Sequence, residues 1–180
     1  MIAGSVARRY ARALLDIGLA SQSSDAIGKE LERVAELLSG SKELATTLEN
    51  PIFPLSKRKG VVEELARRLA LSRTVRNFLL LLLDRGRIAA LPAIAREHRI
   101  LVDQAMGRVR VTVTTAQPLD AAAEQRLKAT LERQTGKAVI VDKREDPALI
   151  GGVVTQIGDV VYDGSIRTYL ANLRRELLSE

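Results

Sequence analysis

The chain has 180 residues, a formal net charge of +6 and no cysteine. That length allows one large domain or two small ones, and the lack of cysteine excludes disulfides, thiolate catalysis and most structural zinc sites. Apolar residues make up 46% but aromatics only 3%, so any core has to be built from Leu, Val, Ile and Ala.

The positive excess sits in residues 1–105, which hold 17 Lys and Arg against 12 Asp and Glu; residues 106–180 hold 11 against 10. A basic chain can meet nucleic acid, an acidic partner or an anionic membrane surface, and the sign alone does not choose. Phe78–Leu83 is the longest apolar run, far short of the roughly 20 residues a membrane-spanning helix needs. Met1–Ala20, with Arg8, Arg9 and Arg12, has some character of a mitochondrial presequence. Asp16 and a stripe that runs on into a bundle-like pattern argue instead for a bacterial protein on the cytoplasmic face.

Residues 1–105 read as helices. Val6, Tyr10, Ala13, Leu14 and Ile17 recur at helical spacing and are expected to form a core face. Ile27, Leu31, Val34, Leu37 and Leu38 repeat the pattern, and Gly40-Ser41 breaks it before a short Leu44–Leu48 segment. Asn50-Pro51 to Pro54 forces a turn. Ser56 is expected to cap a fourth helix and Ser72 a fifth, over Val75–Leu83, closed by Gly86. A sixth holds Leu91, Ile94, Ala95, His98, Leu101 and Val102, with Pro92 tolerable only in its first turn.

The period then changes. Arg108–Thr114 alternates as a half-buried strand does. Asp120 is a cap for a helix to about Gln134, stopped by Gly136, and Val139–Val141 is a second strand. Val153–Ile157 and Val160–Tyr162 are two more, joined by a tight Gly158-Asp159 loop. Asp163-Gly164-Ser165 is expected to turn the chain into a last helix whose stripe is Ile166, Tyr169, Leu170, Leu173 and Leu177. The fold class is therefore α+β, with a boundary near Met106-Gly107: a helical bundle over 1–105 and a small α+β domain over 106–180.

Chemistry is sparse. His98 is the one histidine and lies among Ile94, Leu101 and Val102, which reads as structural. Gly151, Gly152, Gly158 and Gly164 fit neither the P-loop nor the dinucleotide fingerprint and suit hairpin and turn duties. Asp159 and Asp163 fall at turns, with no nucleophile beside them. The basic clusters, such as Lys57-Arg58-Lys59, lack the interleaved aromatics that RNA stacking wants. No catalytic, cofactor-binding or metal-binding residue is assigned.

Leu79–Leu83 covers more than one helical turn, so the fifth helix is apolar all round there. The first helix adds a second stripe of small residues, Ala3, Ala7 and Ala11. These surpluses point to a groove between the first and fifth helices that receives a partner's amphipathic helix.

Several segments, in order, resemble one family. Val6–Leu14, Asn50-Pro51 with Lys57-Arg58-Lys59, Leu81 through Gly86-Arg87-Ile88 to Leu91-Pro92, and above all Asp146–Arg167 are similar to the delta subunit of F-type ATP synthases, known in mitochondria as the oligomycin-sensitivity-conferring protein. The resemblance implies a non-catalytic peripheral-stalk subunit, present once per complex and attached to the membrane indirectly. It implies a six-helix N-terminal bundle that binds N-terminal segments of the alpha subunits. A smaller C-terminal domain, with a short sheet and two helices, would contact the b subunit. On this basis Tyr10, Ala13 and Leu81 are expected groove residues, joined by Ala7 from the small-residue stripe, and no cofactor or nucleic acid is expected. A basic two-domain RNA-binding protein is the alternative.

Overall fold

A computed structural model describes residues 2–158 and 160–178, with the side chains of residues 2–3 and 176–178 outside the described set. Among the described residues there are eight α-helices, two short 3-10 turns and one four-stranded sheet, an α+β architecture. The chain divides into two compact units, Met1–Val102 and Asp103–Glu180.

The first unit is built from α1 (Ile2–Ala20), α2 (Ser24–Gly40), α3 (Lys42–Glu49), α4 (Leu55–Arg68), α5 (Arg73–Asp84) and α6, which starts at Leu91 and runs past the unit's end to Ala105. Its helix ends follow local chemistry. Ser41 and Ser72 accept the backbone N–H of Leu44 and Val75, three residues on. Gly86 takes a positive φ of 62°, with its own N–H on the Leu83 carbonyl and that of Arg87 on Leu82, which satisfies two carbonyls that a helix end otherwise leaves bare. Pro92 does fall in the first turn of α6. Ser56 is not a cap: α4 begins one residue earlier, at Leu55, behind Pro54. Proline's pre-set φ, here −53°, starts the helix without a side-chain acceptor.

Leu14, Ile27, Leu31, Val34, Leu48, Val75, Leu79, Leu82, Leu91 and Ile94 make the core of this unit. Charged pairs fasten its rim: Arg76 to Glu63, Lys59 to Asp84, Arg8 to Glu97 and Arg99 to Glu32. Glu30 accepts both the N–H and the hydroxyl of Ser72, at 2.8 Å each, and so ties α2 to the start of α5.

In the second unit the strands are β1 (Arg108–Thr115), β2 (Ala138–Glu145), β3 (Gly152–Ile157) and β4 (Val160–Ser165); α7 (Ala121–Thr135) links β1 to β2, and α8 (Ile166–Leu178) follows β4. The sheet order is β2-β1-β3-β4, with β1 and β2 parallel and the other pairs antiparallel. Parallel neighbours need a long crossover, and α7 supplies it. Asp120 caps α7 by accepting the Ala123 N–H at 2.6 Å, and Gly136, at φ +65°, closes it. Val111, Val113, Val139 and Leu131 form the small core between α7 and the sheet.

Two strands are longer than their apolar residues suggest. β2 pairs with β1 through Glu145, well beyond Val141. β4 continues through Asp163-Gly164-Ser165, which is therefore strand and not turn, in register with Val154, Val153 and Gly152. Gly152 has φ +81°, and a Cβ there would run into the Gly164 carbonyl oxygen, so the close approach of β3 and β4 requires glycine. Gly158 also has a positive φ, while Asp159 lies outside the described residues. At the unit's start, buried Asp103 accepts from Arg110 at 3.0 Å and pairs with Arg108, and Arg110 also reaches Asp142. A buried carboxylate is tolerable when its charge is answered in this way.

Candidate docking surfaces

The first helix follows the sequence expectation in part: Leu14 is in the core and Tyr10 packs against it, while Ala13 and Ile17 are exposed. Ala7, Ala11, Leu14 and Leu15 are buried, and Gly18 packs so closely on Ser24 that an added Cβ would lie 2.7 Å from the serine oxygen. Ala7 and Ala11 of the small-residue stripe therefore serve the unit's own interior. Ala7 is fully buried and offers no surface to a partner, which corrects its assignment to the groove. The side chain of Ala3 lies outside the described residues.

The opposite face is the open one. Val6 and Tyr10 are half-buried, while Ala13 and Ile17 are exposed. These four positions are spaced four, three and four apart, the repeat of a coiled-coil seam. Ile17 in particular is 48% exposed and is not a core residue. Tyr10 meets Phe78 of α5 edge to face, with ring centroids 5.9 Å apart. The Arg87 guanidinium lies 5.8 Å from the tyrosine ring centre and donates to its hydroxyl at 3.0 Å. Tyr10 is thus held in one orientation at the α1–α5 boundary.

The leucine run of α5 is sorted by position. Leu79, Leu82 and Leu83 are buried with Val75 and Phe78, Leu80 is half-buried, and Leu81 alone is 42% exposed. Leu81 lies one turn along from Phe78, close enough in helical geometry for neighbouring side chains to meet. Of the four expected groove residues, Tyr10 is linked to α5 through Phe78, while Ala13 and Leu81 are accessible.

A second open face was read from sequence only as a stripe. On α8, Ile166, Tyr169, Leu170 and Leu173 are all exposed, Tyr169 by 65% and Leu170 by 51%. The side chain of Leu177 lies outside the described residues. α8 is fastened at its first turn: the Ile166 N–H donates to Gly151, Ser165 Oγ accepts the Thr168 N–H, and the Thr168 hydroxyl donates to Asp163. Asp163 sits below the ordinary carboxylate range, chiefly because the Ser165 N–H donates to it, then through the Ser165 and Thr168 side chains. It is a helix-start acceptor and not an acid or base. Beside this turn, Ile150 is 66% exposed at a φ of +66°, an outlier for a β-branched residue. Nothing in the sequence around Ile150 signals that strain.

His98 is fully buried, and neither ring nitrogen has a hydrogen-bond partner. Burial pushes its pKa below the usual imidazole value, and the negative charge of Asp25 pulls weakly the other way. A neutral ring sealed against Gly28, whose added Cβ would sit 3.5 Å from Nδ1, is a core residue without access to substrate. Among the described residues, no cluster of three potential metal ligands occurs, and no helix is long and apolar enough to cross a membrane.

Among the described residues, exposed apolar side chains on α1 and on α8 are the surfaces best suited to docking another helix. The family model for the ATP synthase delta (OSCP) subunit matches residues 6–177. The ATP synthase subunit delta of Anaeromyxobacter dehalogenans (strain 2CP-C) is 44% identical over 177 residues, covering 98% of this chain and 99% of the relative. That of Geobacter metallireducens is 40% identical over 174 residues, with 97% of each chain covered. A chain in the mitochondrial ATP synthase hexamer of Toxoplasma gondii has the same fold, with a TM-score of 0.67 at 20% identity over 96% of this chain and 97% of that one. The protein belongs to the ATP synthase delta (OSCP) subunit family, the non-catalytic stator subunits of the F-type enzyme.

Proposed function

We propose that this chain joins the catalytic head of an F-type ATP synthase to its peripheral stalk by two separate helix-docking faces. The six helices of residues 1–105 act as one bundle, and the open face of α1, with Tyr10, Ala13, Ile17 and Leu81 of α5, receives N-terminal helical segments of the alpha subunits. Residues 106–180 meet the end of the b-subunit stalk. One copy per complex, on the cytoplasmic side of a bacterial membrane and attached to it only through the other subunits, holds the alpha/beta head still while the rotor turns. Proton flow then drives ATP synthesis instead of spinning the whole head.

The observation that carries this reading is the 4-3-4 face of α1, half-buried at Val6 and Tyr10 and exposed at Ala13 and Ile17, in a chain that matches the family almost from end to end. A seam of that spacing accepts a helix by burying apolar area. The test is titration of the full chain with a peptide from the N-terminus of the alpha subunit. Wild type binds, and binding persists as salt is raised, whereas phosphate-driven RNA binding would fall steeply. Leu81→Glu and Ile17→Glu each weaken the peptide by at least about tenfold, as expected for a charge placed in an apolar contact. Equal affinity in both variants, with unchanged helical content, rejects the face.

A further inference from the structure

We infer that the loop between α3 and α4 is a rigid apolar knob, and that its partner is an apolar pocket rimmed by carboxylates on the surface of the catalytic head. The inference rests on the reading above, which sets the first unit on the head, and adds a contact outside the α1–α5 face. Pro51, Ile52, Phe53, Pro54 and Leu55 follow one another in the chain, and all five are exposed. Ile52 stands out at 82%, the most exposed large apolar side chain among the described residues, with Phe53 and Leu55 at 39% each. Single exposed apolar residues are ordinary, whereas a contiguous group at one tip marks a contact.

The tip is built to hold its shape. Asn50 Oδ1 accepts the Ile52 N–H at 3.0 Å, and the Asn50 carbonyl accepts the Phe53 N–H at 3.3 Å. Pro51 and Pro54 fix φ on either side of Ile52-Phe53. Behind the loop, Arg58 Nη1 donates to the Leu48 carbonyl at 3.2 Å and ties the first turn of α4 to the last turn of α3. A preformed knob loses little entropy when it docks. Charge then selects the partner. Lys57, Arg58 and Lys59 follow the tip, and the Lys59–Asp84 pair at 2.7 Å sets the end of α5, with Arg85 and Arg87 just beyond, beside the start of α4. Only Glu49 and Asp84 oppose these five cations along the same segments. Such a tip fits a pocket with an acidic rim and is disfavoured by a basic one. An anionic bilayer has the same sign, but a loop without Trp or Tyr is a poor interfacial anchor, so a shaped protein pocket is the better fit.

The experiment measures binding of the full chain to the assembled alpha/beta head of the same synthase, and separately to the alpha N-terminal peptide, at low and moderate salt. Ile52→Glu weakens the head by at least about tenfold and leaves the peptide affinity unchanged. Lys57→Glu weakens the head by about threefold at low salt, with a smaller difference at higher salt. Both positions are exposed, so both variants keep the wild-type melting temperature. If wild type binds the head and Ile52→Glu binds it equally well, the knob is overturned while the stator reading stands. Equal weakening of head and peptide by Ile52→Glu also overturns it, because the loss then lies in the α1–α5 face. So does a loss confined to vesicles of anionic phospholipid, with head affinity intact. If wild type itself does not bind the head, knob and stator reading fall together.

Discussion

The first and last helices carry the same 4-3-4 apolar spacing and are mounted differently. α1 has two usable faces: Ala7, Ala11 and Leu14 are buried in its own unit, which leaves Val6, Tyr10, Ala13 and Ile17 on the other side. α8 has a single described apolar face, and that face is exposed. A helix seated along one side is already ordered when a partner arrives, so little further entropy is lost. A helix fastened at one end still has ordering to do, and part of the gross contact energy goes into it. The difference teaches that the spacing of apolar residues identifies a seam without saying whether the seam is preformed.

The strongest way to break the comparison is at the seat of α8. Gly152→Ala drives a methyl group into the Gly164 carbonyl at a positive φ and is expected to cost about 3 kcal/mol or more. Thermal unfolding followed by amide exchange should register the loss in the second unit while the first keeps its protection. The next test separates the two faces of α1. Ala11→Leu overpacks a fully buried position and should cost about 2 kcal/mol, whereas Ala13→Leu, on the exposed face, should stay within about 0.5 kcal/mol. Equal melting temperatures for the two variants would contradict the facing described for α1. Asp163→Ala removes the acceptor of the Ser165 N–H and the Thr168 hydroxyl; it should lower the helical signal of α8 more than that of α1.

The most gradual effect is with pH. His98 is neutral in the folded chain because burial lowers its pKa, and in the unfolded chain it takes a proton near the usual value of about 6.5. Unfolded protein therefore binds more protons as pH falls below that value, and stability is lost from there down to the folded pKa, with little change above. Denaturant midpoints measured between pH 8 and 5 should show this slope, and His98→Leu should flatten it. The carboxylates held low by arginine, Glu63 and Glu64, act only at more acid pH, below their ordinary range.

Much of the fold was legible because it rests on near neighbours. Ser72, Asp120, Gly86 and Gly136 each act within three or four residues of their own position, and each does the work read from sequence. Ser56 failed for an equally local reason, since Pro54 had already started the helix. The second half of β2, Asp142-Lys143-Arg144-Glu145, hid because edge strands carry charge. The candidate site was harder. Leu81 came from surplus apolar area and Tyr10 from the family resemblance, and both have accessible surface, while Ala7 is fully buried because a small residue suits a partner's approach and a neighbouring helix's approach alike.

Sequence by itself determined which helices and strands form, the caps that bound several of them, and the family to which the chain belongs. Those are matters of spacing, capping and φ preference, all settled within a turn or two of chain. Tertiary structure alone decided which face looks inward. Ile17 and Leu14 have equal claim to burial on hydrophobicity, and so do Leu170 and Leu131, yet in each pair one is exposed and one is buried. Burial depends on what stands opposite, and residues distant in the chain provide it.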